Sequence, residues 1–95
     1  MSQPTGLGAR WEGKEILPEE HHVSQPVPGG WTVSQRRRLR DRLRILCGER
    51  GLVLGDASWD DGPVLRACLR VRRGADIDSF QAALKLAADL IDEEG

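Results

Sequence analysis

The spacing of hydrophobic residues predicts a helix over residues 33–50. Apolar side chains recur there at intervals of four, three and one, which places on one stripe Leu39, Leu43, Leu46 and Cys47. Thr32 and Gln35 have the spacing of a capping box, with Ser34 as an alternative cap. Gly51 suits the position just after the end of the helix.

After this helix, a strict alternation of apolar and polar residues predicts a β-hairpin. Residues 65–72 alternate between apolar and polar, and Asp61-Gly62 is a strong turn dipeptide. With this turn at the tip, Leu54 pairs with Leu69 and Trp59 with Val64. The apolar face of the hairpin is then made of Leu52, Leu54, Leu65, Ala67, Leu69 and Val71.

A second helix is predicted to start within the stretch ADIDSFQAAL, residues 75–84. Asp78 and Gln81 have the spacing of another capping box, and Asp76 adds a favourable charge at the helix start. The buried stripe of this helix comprises Phe80, Ala83, Leu84, Ala87 and Ile91, with Leu86 and Leu90 at its flank.

Residues 1–30 have no sustained period and contain four of the five prolines, so they are predicted to form a flexible or partner-ordered arm. The stretch HHVSQPV within it can form a short edge strand, which would support a hairpin that is only marginally stable alone. The predicted fold is therefore an α+β domain over residues 31–95. It has two layers in the order α-β-β-α, with two helices packed on the antiparallel hairpin.

Length and composition limit the classes of protein to which this chain can belong. A chain of 95 residues forms at most one domain, and a core this small gains from dimerisation or a partner. The chain has two cysteines, no apolar run long enough to cross a bilayer and no signal-peptide pattern, so we expect a cytoplasmic protein that makes no membrane contact. Arginine outnumbers lysine twelve to two, and the matching GC-rich codons indicate a bacterial or phage origin.

Charge is divided sharply along the chain. The formal net charge is −1 overall, yet residues 36–73 carry eleven arginines against five acids, a net of +6. Residues 74–95 carry one lysine against six acids, a net of −5. Such asymmetry bears on partners and self-association, because oppositely charged segments can dock onto a second copy.

The arginines of the first helix are candidates for partner binding. Arg36, Arg40 and Arg44 line one side of the helix, and a single Asp41 offsets the basic residues around them. Three sources of negative charge fit this surface: the acidic final helix of the same chain, an acidic protein and a nucleic acid.

The outer face of the hairpin is the second candidate surface. Arg66, Arg70 and Arg72 project from it, with Trp59 and Val64 near the tip. Arginines beside a tryptophan suit a protein interface, where both residue types are favoured anchors. They also suit single-stranded nucleic acid, which needs phosphate contacts and a stacking plane.

No constellation of residues supports catalysis, a metal site or a cofactor. The acidic tip DASWDDG lacks the glycine and the acid at the positions that an EF-hand loop requires. His21 and His22 have no further ligands at zinc spacing. The sequence thus predicts a non-enzymatic binding or accessory module that acts through protein–protein contacts, as a homodimer or a subunit of a complex. The alternative is a nucleic-acid-binding protein that uses the arginines of the hairpin and first helix.

Overall fold

A computed structural model describes residues 11–94, with the side chains of residues 56–61 excepted. Its elements follow the order β1 (Ile16–Pro26), α1 (Val33–Glu49), β2 (Leu52–Asp61), β3 (Val64–Arg72) and α2 (Ile77–Glu94). The strands form one antiparallel sheet with the order β1-β3-β2, and both helices pack on the same face of it. The predicted α+β class, with helices and hairpin in two layers, is confirmed.

The N-terminal segment supplies the third strand of the sheet. Strand β1 pairs with β3 so that Glu20 lies opposite Arg70 and Val23 opposite Ala67, with an irregularity between Ile16 and Glu20. Val23 is buried, whereas Pro26 ends the strand at the sheet edge, where its missing N–H costs no ladder hydrogen bond. Strands β1 and β2 run parallel on either side of β3 and are joined by α1, which makes a split βαβ unit.

The hairpin register is as predicted at its base and wrong at its tip. Leu54 lies opposite Leu69 as expected, but Trp59 lies opposite Arg66 rather than Val64. The two-residue loop is Gly62-Pro63, where Gly62 takes a positive φ of 69°. A register shift between Leu54 and Ser58 absorbs the two additional residues of β2.

A single core joins the sheet to the helices. The predicted stripes of both helices face it, as do alternate residues of β3. Its largest fully buried side chains are Phe80, Leu39, Leu43, Leu65, Leu69 and Leu84. Burial of this kind contributes about 1.5–3 kcal/mol for each large apolar side chain, and it dominates the stability of a small domain.

Capping groups fix where both helices begin. The Thr32 hydroxyl accepts a hydrogen bond from the Gln35 N–H at 3.2 Å, and the Thr32 N–H donates to the Gln35 side-chain oxygen at 2.8 Å. This capping box is the predicted one. The predicted cap of α2 is wrong: the helix starts one residue before Asp78, and the Asp76 carboxylate accepts from the N–H groups of Asp78 and Ser79.

Residues 11–15 are bound to the C-terminal end of α1 and to the residue that follows β3. The indole nitrogen of Trp11 donates to the Glu49 carbonyl oxygen at 3.1 Å, and the ring lies over Gly51, whose φ is 72°. The Arg73 N–H donates to the Glu15 carbonyl oxygen at 2.8 Å, and their side chains form an ion pair at 2.7 Å. In the described part of the chain, neither helix is long and apolar enough to cross a membrane.

Candidate binding surfaces

The arginines proposed from the sequence lie on different sides of the molecule. Arg66 and Arg70 are exposed on the face of the sheet that points away from the core, and Val64 is half-buried beside them. The backbone of Trp59 lies directly opposite Arg66, but the Trp59 side chain is outside the described residues. The arginines of α1 lie in the helical layer, which covers the opposite face of the sheet.

Arg72 makes hydrogen bonds that hold the fold together. Its guanidinium Nη1 donates to the Lys14 carbonyl oxygen at 3.0 Å, and its backbone N–H donates to the Gly51 carbonyl oxygen at 2.9 Å. The side chain is half-buried. Arg72 therefore attaches the N-terminal segment to the end of the central strand β3, a structural role that the alternation of β3 did not reveal.

The predicted row of α1 arginines begins beside the hairpin loop. Arg36 donates through Nη2 to the Gly62 carbonyl oxygen at 2.7 Å, so it contacts the tip of the hairpin. Arg40 is half-buried and Arg44 is exposed further along the same row. Because Arg66 and Arg70 point away from the helices, the structure does not bring these two groups of arginines together into one patch.

The outer sheet face also carries a carboxylate and a thiol. The Cys68 Sγ donates to Glu20 Oε2 at 3.0 Å, and only 5% of Cys68 is exposed. This hydrogen bond raises the pKa of the Cys68 thiol, and burial acts in the same direction. The same bond lowers the pKa of Glu20, and the charge of Arg70 also favours the ionised carboxyl. The face is therefore mixed in charge, with Glu20 beside Arg70.

A groove between the two helices forms a surface of a different kind. It has a volume of about 590 Å³, and the residues that line it include the apolar Leu46, Ala83, Ala87 and Ile91. Leu86 and Leu90, also in the lining, are 61% and 51% exposed. Ile45 lies one turn beyond Arg42 on α1 and is 47% exposed. Exposed aliphatic side chains that cluster on one side are typical of interaction surfaces.

The two helices beside the groove carry opposite charges. Helix α1 contains six arginines and two acids, a net of +4, and α2 contains one lysine and five acids, a net of −4. Arg38 forms an ion pair with Glu94, and the Trp31 indole nitrogen donates to Asp92 Oδ1 at 2.9 Å. These contacts place the start of α1 beside the end of α2, so the helices are antiparallel.

The groove was not found from the sequence. Leu86 and Leu90 were assigned to the flank of the buried stripe of α2, yet both face outward. Their spacing of four residues, outside the stripe that Phe80, Leu84 and Ile91 define, was the available signal. A second apolar row on an otherwise polar helix face indicates a surface that a partner can cover.

Among residues 11–94, with the side chains of residues 56–61 excepted, no three His, Cys, Asp or Glu residues cluster as metal ligands. Burial raises the pKa of the Cys47 thiol to about 12, so it stays protonated at neutral pH. Comparison with protein-family models, with curated proteins and with solved structures found no match to this chain.

Proposed function

We propose that this protein is a non-enzymatic binding module that contacts a protein partner through the outer surface of its two helices. We define the helical surface as Ile45, Leu86, Leu90 and the charged side chains around them, Arg38, Arg42, Asp89 and Glu93. The observation that carries the proposal is the outward exposure of Leu86 and Leu90 along a groove of about 590 Å³.

Apolar exposure supports this role because it has an energetic cost. Burial of a leucine side chain contributes about 1.5–3 kcal/mol, so Leu86 and Leu90 together can contribute several kcal/mol to an interface that covers them. Three of the five large hydrophobic residues that are exposed in the described chain belong to this surface. Charged side chains surround them, which matches the arrangement of an apolar centre and a polar rim.

Proximity labelling in cells followed by mass spectrometry tests the role. We expect wild-type protein to label a reproducible set of proteins and the Leu86→Glu/Leu90→Glu variant to lose it. The matched control is Val33→Glu, since Val33 is exposed at 72% near the start of α1 and outside the groove. Equal labelling by all three proteins would show that partners do not bind through the helical surface.

Nucleic-acid binding is the second candidate function, and the exposure of Arg66 and Arg70 on the outer sheet face favours it. Phosphate contacts by these arginines would release counterions, so affinity for a single-stranded oligonucleotide should fall steeply as salt rises. Arg66→Ala/Arg70→Ala should weaken binding and flatten the salt dependence. Arg37→Ala/Lys85→Ala serves as the control, since it also removes two exposed positive charges but lies outside the candidate site. Indifference to the sheet-face substitutions would exclude this site.

A further inference from the structure

We infer that the partner of the helical surface is a second copy of this chain, which docks by two-fold symmetry with α1 of each protomer over α2 of the other. The inference rests on the proposed function, because it assigns an occupant to the same surface. Charge complementarity within one protomer is the argument for it.

A two-fold axis between the two helical layers, running along the helices, satisfies the charges of both copies at once. Such an axis places the net +4 of α1 over the net −4 of α2, and by symmetry the reverse contact forms as well. Two interfaces between unlike charges arise from one surface. A surface of one sign would repel its own copy.

The antiparallel packing of the helices also brings matching segments together. Arg38 is level with Glu94 within a protomer, so Arg42, one turn further along α1, is level with Leu90. In the two-fold arrangement Arg42 then faces the end of the second copy's α2, where Glu93 is exposed. Leu86 and Leu90 are thereby placed against the groove of the second copy, which Leu46 and Ile91 help to line.

The size of the surface sets the expected strength of this dimer. Helices of 17 and 18 residues are about 26 Å long, and two of them side by side offer roughly 500 Å² per protomer. About 1,000 Å² in total lies at the lower end of specific interfaces. We therefore expect a reversible dimer with a micromolar dissociation constant, weakened by salt because its rim is charged.

Sedimentation equilibrium of purified full-length protein tests the inference. Wild-type protein should shift from monomer to dimer as its concentration rises through the micromolar range. Leu86→Glu should weaken association at least tenfold, while Val33→Glu should leave it unchanged. Circular dichroism establishes that each variant is folded.

A charge swap makes the test specific to the proposed orientation. Arg42→Glu and Glu93→Arg should each weaken self-association, because each homodimer then contains two pairs of like charges. An equimolar mixture of the two variants should form a heterodimer, in which both pairs are again opposite in sign. Both positions are exposed, so folding is preserved even if Leu86→Glu proves unstable.

Two outcomes would overturn the inference. A wild-type protein that stays monomeric at high micromolar concentration and low salt excludes the second copy as the partner. A dimer that is insensitive to Leu86→Glu and to both charge variants excludes the helical surface as the dimer contact. The proposed function is judged separately: monomeric wild-type protein whose cellular labelling still depends on Leu86 and Leu90 binds a different protein there.

Discussion

The Trp11 ring lies so close to Gly51 that a Cβ atom at residue 51 would overlap the indole. Gly51 also has a φ of 72°, which L-residues with a side chain adopt only at a cost. Gly51→Ala should therefore lower the free energy of unfolding by more than the roughly 1–2 kcal/mol of the backbone cost alone. Thermal and urea denaturation measure this loss.

Gly48→Ala is the matched control. Gly48 lies three residues earlier, within α1, and an added Cβ there meets nothing within 4 Å. Since alanine favours a helix by about 1 kcal/mol over glycine, this variant should gain stability. If Gly51→Ala were as stable as Gly48→Ala, the close packing of Trp11 on Gly51 would be contradicted. A Trp11→Ala background should relieve the part of the cost that comes from the ring.

Removal of the α1 cap should destabilise the protein moderately. Thr32→Ala deletes the oxygen that accepts from the Gln35 N–H, and a lost cap of this kind costs about 1 kcal/mol. Ser34→Ala, in the first turn of the same helix, is the control and should change stability by less than about 0.5 kcal/mol. Urea denaturation gives the free energy of unfolding of each variant. An equal loss in both variants would contradict a specific capping role for Thr32.

The elements of the fold could be predicted from the sequence because each has a local signal. The stripe of α1, the alternation of β3 and the Thr32–Gln35 box depend on neighbours within a few residues, and all three are confirmed. The tip register was wrong because it depends on which residue takes the positive φ of the loop. Gly62 takes the first loop position, and a shift within β2 compensates further along the strand.

The Glu20 carboxylate should control the reactivity of Cys68. Ionised Cys68 would face the negative charge of Glu20, and the raised pKa keeps the thiol protonated above its ordinary pKa. In Glu20→Gln the charge is absent, so the midpoint of alkylation against pH should move to lower pH for Cys68. Iodoacetamide labelling read by peptide mass spectrometry distinguishes this thiol from Cys47.

Glu19→Gln controls for the change in net charge. Glu19 neighbours Glu20 on β1, but it is the Glu20 carboxylate that accepts the hydrogen bond from Cys68. The Glu19 variant should keep the wild-type midpoint for Cys68. An unchanged midpoint in Glu20→Gln as well would mean that burial alone sets the reactivity of the thiol.

The hydrogen bond from Arg36 to the hairpin loop should restrain the tip of the hairpin. Arg36→Ala removes the donor to the Gly62 carbonyl oxygen, whose neighbour Pro63 accepts from the Val27 N–H at 2.8 Å. The Val27 amide should then exchange with deuterium several-fold faster, as measured by NMR. Arg37→Ala, exposed on the same helix, is the control. Equal exchange in both variants would show that the arginine does not support the tip.

Less of the candidate surfaces than of the fold could be predicted from the sequence. Alternation placed Arg66 and Arg70 outside the core, as found, but it could not show that Arg72 binds Lys14 or that Arg36 binds the loop. Those contacts join residues 26 and 58 positions apart in the chain. The groove depends equally on how α1 and α2 meet, which no pattern within one helix contains.

The order of the strands has a consequence for synthesis of the chain. Strand β1 is made first, but its partner β3 begins only at Val64, after α1 and β2 have been made. Throughout that interval on the ribosome the backbone groups of β1 lack the strand with which they pair in the fold. Strand β1 contains Pro18 and Pro26, with charged and imidazole side chains between them. These residues disfavour pairing of the unpartnered strand with a neighbouring nascent chain.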